Sequence, residues 1–145
     1  MNIVEMWGKG KSRIEQGVIY SDGKYFPVYA SSNSEYEAGS EESIDPFILK
    51  NPKWWFYYSI SSKSRIGNNV LVAGGGPYEG EGFVALIDEK SSLIWVLHLE
   101  GCEVLEIETC FETEALVFGS NGYERNSFLV PYRNPEQFTF KQESM

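Results

Sequence analysis

The single histidine of the chain is the first residue to consider for catalysis. Any serine or cysteine nucleophile would need it as its base. His98 stands two residues beyond Val96, at the end of an apolar strand face, and the sequence contains no Gly-x-Ser-x-Gly elbow of a hydrolase. This position is typical of a structural histidine, and we predict that the protein is not an enzyme.

Two glycine-containing motifs resemble phosphate-binding loops but lack part of the pattern. Gly10-Lys11-Ser12 has Glu5 where a P-loop has its first glycine. The glycine-rich residues 74–82 lead into a predicted strand, whereas a phosphate site needs the free amides of a helix N-terminus. Glu79 and Glu81 beside this loop have the residue types of a glycosidase pair, but the sequence does not fix their separation. We expect the loop to turn the chain or to cover a ligand mouth.

The two cysteines, Cys102 and Cys110, lie near His98 and are potential metal ligands. Their spacing of eight positions differs from the short gap of a zinc knuckle, and no fourth ligand occurs at similar spacing. We therefore predict no metal and no cofactor, and we interpret both cysteines as reduced, small hydrophobic residues.

The net charge of −9 comes entirely from one part of the chain. Residues 1–78 and 115–145 are each neutral, whereas residues 79–114 contain ten acids and one base, Lys90. Strand alternation would place Glu106 and Glu108 on the water side, with Leu105 and Ile107 toward the core. The candidate partner-binding residues are five glutamates of this stretch: Glu100, Glu103, Glu106, Glu108 and Glu112.

Like charges this close repel one another, so the fold gains nothing from them. The cluster is explained either as a solubilising face or as a docking surface for a cationic protein, in which complementary charge speeds encounter. Docking is the sharper hypothesis and predicts a basic partner.

An aromatic run offers a rival site. Alternation within residues 54–58 places Trp55 and Tyr57 on a face that becomes polar, and we expect both rings to be partly exposed. Lys53 and Lys63 flank the run. Rings and bases together are what single-stranded nucleic acids or planar ligands bind. The acidic overall balance makes nucleic acid the alternative rather than the first choice, and a sandwich core would also use these rings.

The elements that would position these residues are mostly short strands separated by turns. Asp22-Gly23 predicts a hairpin, and Pro27 in its second strand suggests a sheet edge. The strands 83–87 and 93–99 are apolar on both faces, so we expect a second layer on each side. A helical turn is expected at residues 45–50, and the rest of 31–45 resembles a loop. The predicted fold is mainly β, an antiparallel β-sandwich or partly open barrel with one or two short helices; the alternative is α+β.

Length and composition indicate one domain over residues 1–145. The chain is 42% hydrophobic and 15% aromatic, too apolar for intrinsic disorder. It shows no secretory leader and no apolar run of bilayer length, which predicts a cytoplasmic protein with no membrane partner.

Residues 82–100 contain the runs Phe83-Val84-Ala85-Leu86-Ile87 and Leu93-Ile94-Trp95-Val96-Leu97. Together with residues 130–135, this stretch resembles small bacterial immunity proteins. Such proteins are encoded beside polymorphic toxins and contact-dependent inhibition systems. The resemblance covers residues 70–140. It implies a cytosolic, acidic, non-enzymatic inhibitor of a cognate toxin, often a basic nuclease.

Overall fold

A computed structural model describes residues 3–13, 16–30, 36–43, 55–76, 81–100, 102–120 and 124–144. Within these ranges the chain is mainly β, as predicted, with one short α-helix and a 3₁₀ turn at Pro135–Gln137. The helix is α1 (Ile3–Gly8). The strands are β1 (Lys11–Arg13), β2 (Gly17–Tyr20), β3 (Lys24–Ala30), β4 (Tyr36–Ala38), β5 (Glu42–Ser43), β6 (Trp55–Tyr57), β7 (Ser59–Ile66), β8 (Asn69–Gly75), β9 (Glu81–Ile87), β10 (Leu93–Glu100), β11 (Glu106–Cys110), β12 (Glu114–Ser120), β13 (Glu124–Pro131) and β14 (Thr139–Ser144).

The described strands form three antiparallel sheets. The largest has the order β4-β3-β2-β10-β9-β8-β7, with β5 also pairing with β3. A four-stranded sheet follows the chain order β11-β12-β13-β14, and β1 pairs with β6 as a short ribbon. The central place of β9 and β10 in the large sheet agrees with their apolar sequence.

Two hydrophobic clusters lie on the two sides of β9 and β10. The larger cluster packs the large sheet against the four-stranded sheet and includes Val84, Trp95 and Phe128. The smaller cluster includes Phe83 and residues of α1 and β6. The expectation that this hairpin is covered on both faces is therefore confirmed.

The second covering layer begins at the N-terminus. Ile3, Met6 and Trp7 of α1 are buried, and their three- and four-residue spacing places them on one helix face. Trp7 stacks on Tyr58 with ring centroids 4.0 Å apart, and the Tyr58 hydroxyl donates to the Trp7 carbonyl oxygen. This helix was not predicted, although the spacing of its apolar residues is the signal for it.

The predicted edge position of Pro27 is wrong. Its strand β3 lies inside the sheet between β2 and the pair β4 and β5. Those two outer strands pair with residues 28–30 and 24–25, so Pro27 falls in the gap between them, where the Gly39 N–H donates to its carbonyl oxygen at 2.7 Å. The missing N–H of proline is tolerated there, as at a sheet edge, because no neighbouring strand needs it as a donor. The strands β4 and β5 also replace part of the loop expected at 31–45, whereas the helical turn expected at 45–50 lies outside the described residues.

Candidate functional site

The acidic segment, defined as residues 102–112, connects the large sheet to the four-stranded sheet. Glu103 donates its main-chain N–H to the carbonyl oxygen of Ser120 at 2.8 Å, and Leu105 donates to that of Gly74 at 3.0 Å. Ser120 and Gly74 belong to different sheets. The main chain of the segment is therefore fixed to both layers, independently of its charged side chains.

Glycines beneath the segment allow it to approach this closely. A Cβ added to Gly82 would lie 2.4 Å from the carbonyl oxygen of Glu103, and one added to Gly119 would lie 2.4 Å from Cδ2 of Leu105. Leu105 is fully buried and belongs to the larger cluster. Leu105 and the fully buried Cys102 anchor a segment most of whose other side chains face water.

The glutamates of the segment lie on the surface, as expected. Glu103, Glu106, Glu108 and Glu112 are all exposed, and Ile107 is half-buried against the core. The register shifts between Ile107 and Thr109, so Glu108 occupies a β-bulge. Glu100, the fifth glutamate predicted to bind the partner, ends β10, and its main chain pairs with that of Glu81. Its side chain is not among those that the structure describes.

Most of this negative charge is not neutralised by neighbours. Among the described residues, the segment's one salt bridge joins Arg125 to Glu108 at 3.5 Å, with both side chains about half exposed. The Arg125 guanidinium also lies 3.7 Å from the centroid of the Phe118 ring, which holds it in place. Glu103, Glu106 and Glu112 form no salt bridge with any other described residue, so their charges face solvent.

Two large apolar side chains are exposed within the same segment. Val104 is 48% exposed and Phe111 is 51% exposed. Exposed apolar groups among charged ones are what a protein-binding patch offers, because the apolar groups gain from burial and the charges orient the partner. These two residues were not among the candidates predicted from the sequence.

The rival aromatic site is only partly as predicted. Tyr57 is 65% exposed, with the Lys11 ammonium 4.9 Å from its ring centroid. The expected exposure of Trp55 is wrong: it is 7% exposed and belongs to the smaller cluster. Phe56 is buried too, and the strand β6 that carries both rings pairs with β1. Lys53 lies outside the described residues.

One residue of the rival site lies on a strand that borders the acidic segment. Strand β7, which carries the exposed Lys63, runs beside β11, and the Ile107 N–H donates to Ser62 Oγ at 3.0 Å. The Ser61 hydroxyl lies 3.1 Å from the carbonyl oxygen of Leu105. Serine side chains thus join the edges of two sheets, and Lys63 borders the acidic segment instead of a nucleic-acid platform.

His98 forms a buried polar pair that the sequence did not reveal. Its Nε2 lies 2.8 Å from Oγ of Ser12, and the two residues are 86 positions apart. Ser12 is fully buried, His98 is 4% exposed, and the Phe56 ring packs edge-on at 5.6 Å from the imidazole. The pair has the residue types of a nucleophile and base, but its burial and aromatic packing identify it as a link between β1 and β10.

Cys102, at the start of the acidic segment, is a second buried residue that makes hydrogen bonds. Burial raises the pKa of its thiol, although hydrogen bonds with Asn126 and Tyr36 act in the opposite direction. The Asn126 Nδ2 donates to Sγ at 3.3 Å. Cys102 and Cys110 are both free, and in the described ranges no three His, Cys, Asp or Glu side chains gather in an arrangement that could hold a metal ion.

No family model, no curated protein and no solved structure matches this chain. None of the helices in the described ranges is long and apolar enough to cross a membrane.

Proposed function

We propose that this protein captures a basic protein partner through the acidic segment and inhibits it without catalysis. The observation that carries the proposal is the exposed set Glu103, Glu106 and Glu112, whose charges are unpaired within the described residues. Exposed Val104 and Phe111 among them supply area that a partner could bury. Charges of one sign around apolar groups favour a partner with the opposite charge.

The biological form that we propose is an immunity protein acting in the bacterial cytoplasm against a cognate toxin, such as a basic nuclease. The support is chemical: a nuclease surface is basic because it binds phosphates, and the acidic segment would compete for that surface. Fixed main-chain hydrogen bonds at Glu103 and Leu105 would present the carboxylates with little ordering cost.

The nucleic-acid alternative has less support from the geometry. A stacking platform needs several exposed rings, and the burial of Trp55 leaves Tyr57 as the exposed ring of strand β6. Lys63 adjoins the acidic segment, where negative charge would oppose a phosphate backbone. Tryptophan quenching by single-stranded DNA at low salt would instead support the alternative.

The test begins with the protein encoded next to this gene. We expect its toxicity to be suppressed by co-expression of the wild-type chain, and the two purified proteins to bind. Glu106→Gln with Glu108→Gln keeps the side-chain shapes and removes two charges. The matched control is Glu37→Gln with Glu42→Gln, which removes two exposed charges from β4 and β5.

Association kinetics at several salt concentrations distinguish the outcomes. Loss of rim carboxylates would lower the association rate and flatten its salt dependence, whereas loss of a carboxylate paired with a desolvated base would cost about 2–5 kcal/mol of affinity. The control pair should bind like wild type. Wild-type affinity and an unchanged salt slope in the Glu106 and Glu108 variant would reject the acidic segment as the docking surface.

A further inference from the structure

A cleft opens between the two main sheets, next to the acidic segment. Its volume is about 710 Å³, within the range of ligand-binding pockets. One wall is the β11–β12 turn with Glu112 and Glu114, and another includes Arg133 and Asn134 after β13. Leu86, which is 5% exposed, contributes an apolar base. The cleft thus combines an apolar surface with charges of both signs.

The charges of this cleft do not neutralise one another. No salt bridge within 4.0 Å joins Glu112, Glu114 or Arg133 to another described residue. Oppositely charged side chains that line one cleft without pairing leave their charges available to an occupant. The two carboxylates would bind a cation, and the guanidinium would bind an oxygen acceptor.

The carboxylate wall is held in a fixed shape by Tyr132. The Tyr132 hydroxyl lies 2.7 Å from the carbonyl oxygen of Phe111 and 2.8 Å from that of Glu114. The main-chain N–H of Tyr132 donates to the carbonyl oxygen of Thr113 at 3.1 Å. The carbonyl oxygen of Tyr132 accepts a hydrogen bond from Trp95 in the core at 2.8 Å. These bonds tie the turn to the core, so the wall is preorganised for binding.

We propose that this cleft takes one arginine side chain of the partner, with its guanidinium at Glu112 and Glu114 and its main-chain carbonyl at Arg133. The inference rests on the proposed function, since it names the anchoring group of a basic partner. Arginine fits because its aliphatic stem can lie on the apolar base while its planar group bonds the carboxylates. Glu112 thereby belongs both to the acidic segment and to the cleft.

The probe for this proposal is the blocked tripeptide acetyl-Gly-Arg-Gly-amide, titrated into the isotope-labelled protein and followed by NMR. The matched control peptide contains citrulline, which has nearly the shape of arginine but no charge. We expect saturable shifts of the side-chain amides of Asn69 and Asn134, which line the cleft, with arginine and not with citrulline. Absent shifts, or equal shifts with both peptides, would overturn the proposal.

Two protein variants distinguish binding in the cleft from general electrostatic attraction. Glu112→Gln with Glu114→Gln should weaken binding of the arginine peptide about fivefold, since two attractive charges are lost. Glu37→Gln with Glu42→Gln removes the same charge from β4 and β5, outside both the cleft and the acidic segment, and should bind the peptide like wild type. Equal weakening in both variants would show general attraction only. Partner capture without peptide binding would reject the cleft alone, and peptide binding without capture would reject the proposed function alone.

Discussion

The acidic segment and the aromatic residues 55–58 both suggest binding sites in the sequence, yet the fold treats them differently. The acidic segment exposes its glutamates and buries Leu105, whereas the aromatic residues bury Trp55 and Phe56 and expose Tyr57. Burial of an aromatic ring stabilises the fold, while burial of an unpaired carboxylate would cost free energy. Residues that add nothing to the core are therefore the better candidates for a binding site in this chain.

The sharpest test of this contrast is Trp55→Ala. Loss of this buried ring should lower the free energy of unfolding by about 3–5 kcal/mol, because it removes apolar burial and leaves a cavity. Tyr57→Ala, at the exposed neighbour, should change it by less than about 0.5 kcal/mol. Urea unfolding followed by circular dichroism measures both, and similar losses would show that the two residues do not differ in burial.

A smaller effect is expected from Gly82→Ala, beneath the acidic segment. The new methyl group would press on the carbonyl oxygen of Glu103, and relieving that contact should cost about 1–3 kcal/mol. Gly8→Ala in α1 is the control, since no atom lies within 4 Å of its added Cβ. Thermal melts compare the two variants, and a Gly82 variant as stable as wild type would contradict the close packing.

Alkaline pH should affect both regions, through Tyr58 in one and Cys102 in the other. Burial raises the pKa of each above its ordinary value, 10.0 for the phenol and 9.0 for the thiol. The folded state then holds these protons more tightly than the unfolded state. Stability is full below the ordinary pKa and falls as the pH rises above about 9.

The measurement is urea unfolding at neutral pH and at about pH 10. Tyr58→Phe and Cys102→Ser each remove one titrating group, so each variant should lose less stability than wild type between the two pH values. The quantity compared is the loss of stability between the two pH values, because either substitution also changes packing at neutral pH. An alkaline loss identical to wild type in both variants would mean that other groups dominate it.

The smallest effect on stability should come from the acids themselves. Glu106→Gln with Glu108→Gln removes like-charge repulsion and one exposed salt bridge to Arg125, and these changes oppose each other. We expect the free energy of unfolding to change by less than about 0.5 kcal/mol. A large destabilisation in urea would show that these glutamates support the fold, which would weaken their interpretation as binding residues.

Local sequence patterns predicted much of the architecture. The hairpin of β9 and β10 follows from runs that are apolar on both faces, and the orientation of Leu105 and Glu106 follows from strand alternation. The prediction for Trp55 failed because the polar residues that continue its face belong to β7, whereas Trp55 lies in the separate short strand β6, which pairs with β1. Its burial depends on packing with α1 and the large sheet in the smaller cluster, and local patterns do not show these tertiary contacts.

The candidate site was predicted in charge but not in shape. The exposed glutamates follow from composition and alternation, whereas the exposure of Val104 and Phe111 depends on where the segment leaves the sheet. The contact between Ser12 and His98 joins residues 86 positions apart, and neither position carries a local signal for it. The cleft likewise combines three separate turns, and only the tertiary fold brings them together.

The main-chain attachment of the acidic segment has an evolutionary consequence. Because Glu103 is held by its own N–H and by the glycine beneath it, its side chain and that of exposed Val104 can be exchanged without repacking the core. Under the proposed function, substitutions at such positions would alter which partner binds while the scaffold persists. Gly82 and Leu105 have no such freedom, so a lineage that diversifies its targets would keep these two residues and vary Glu103 and Val104.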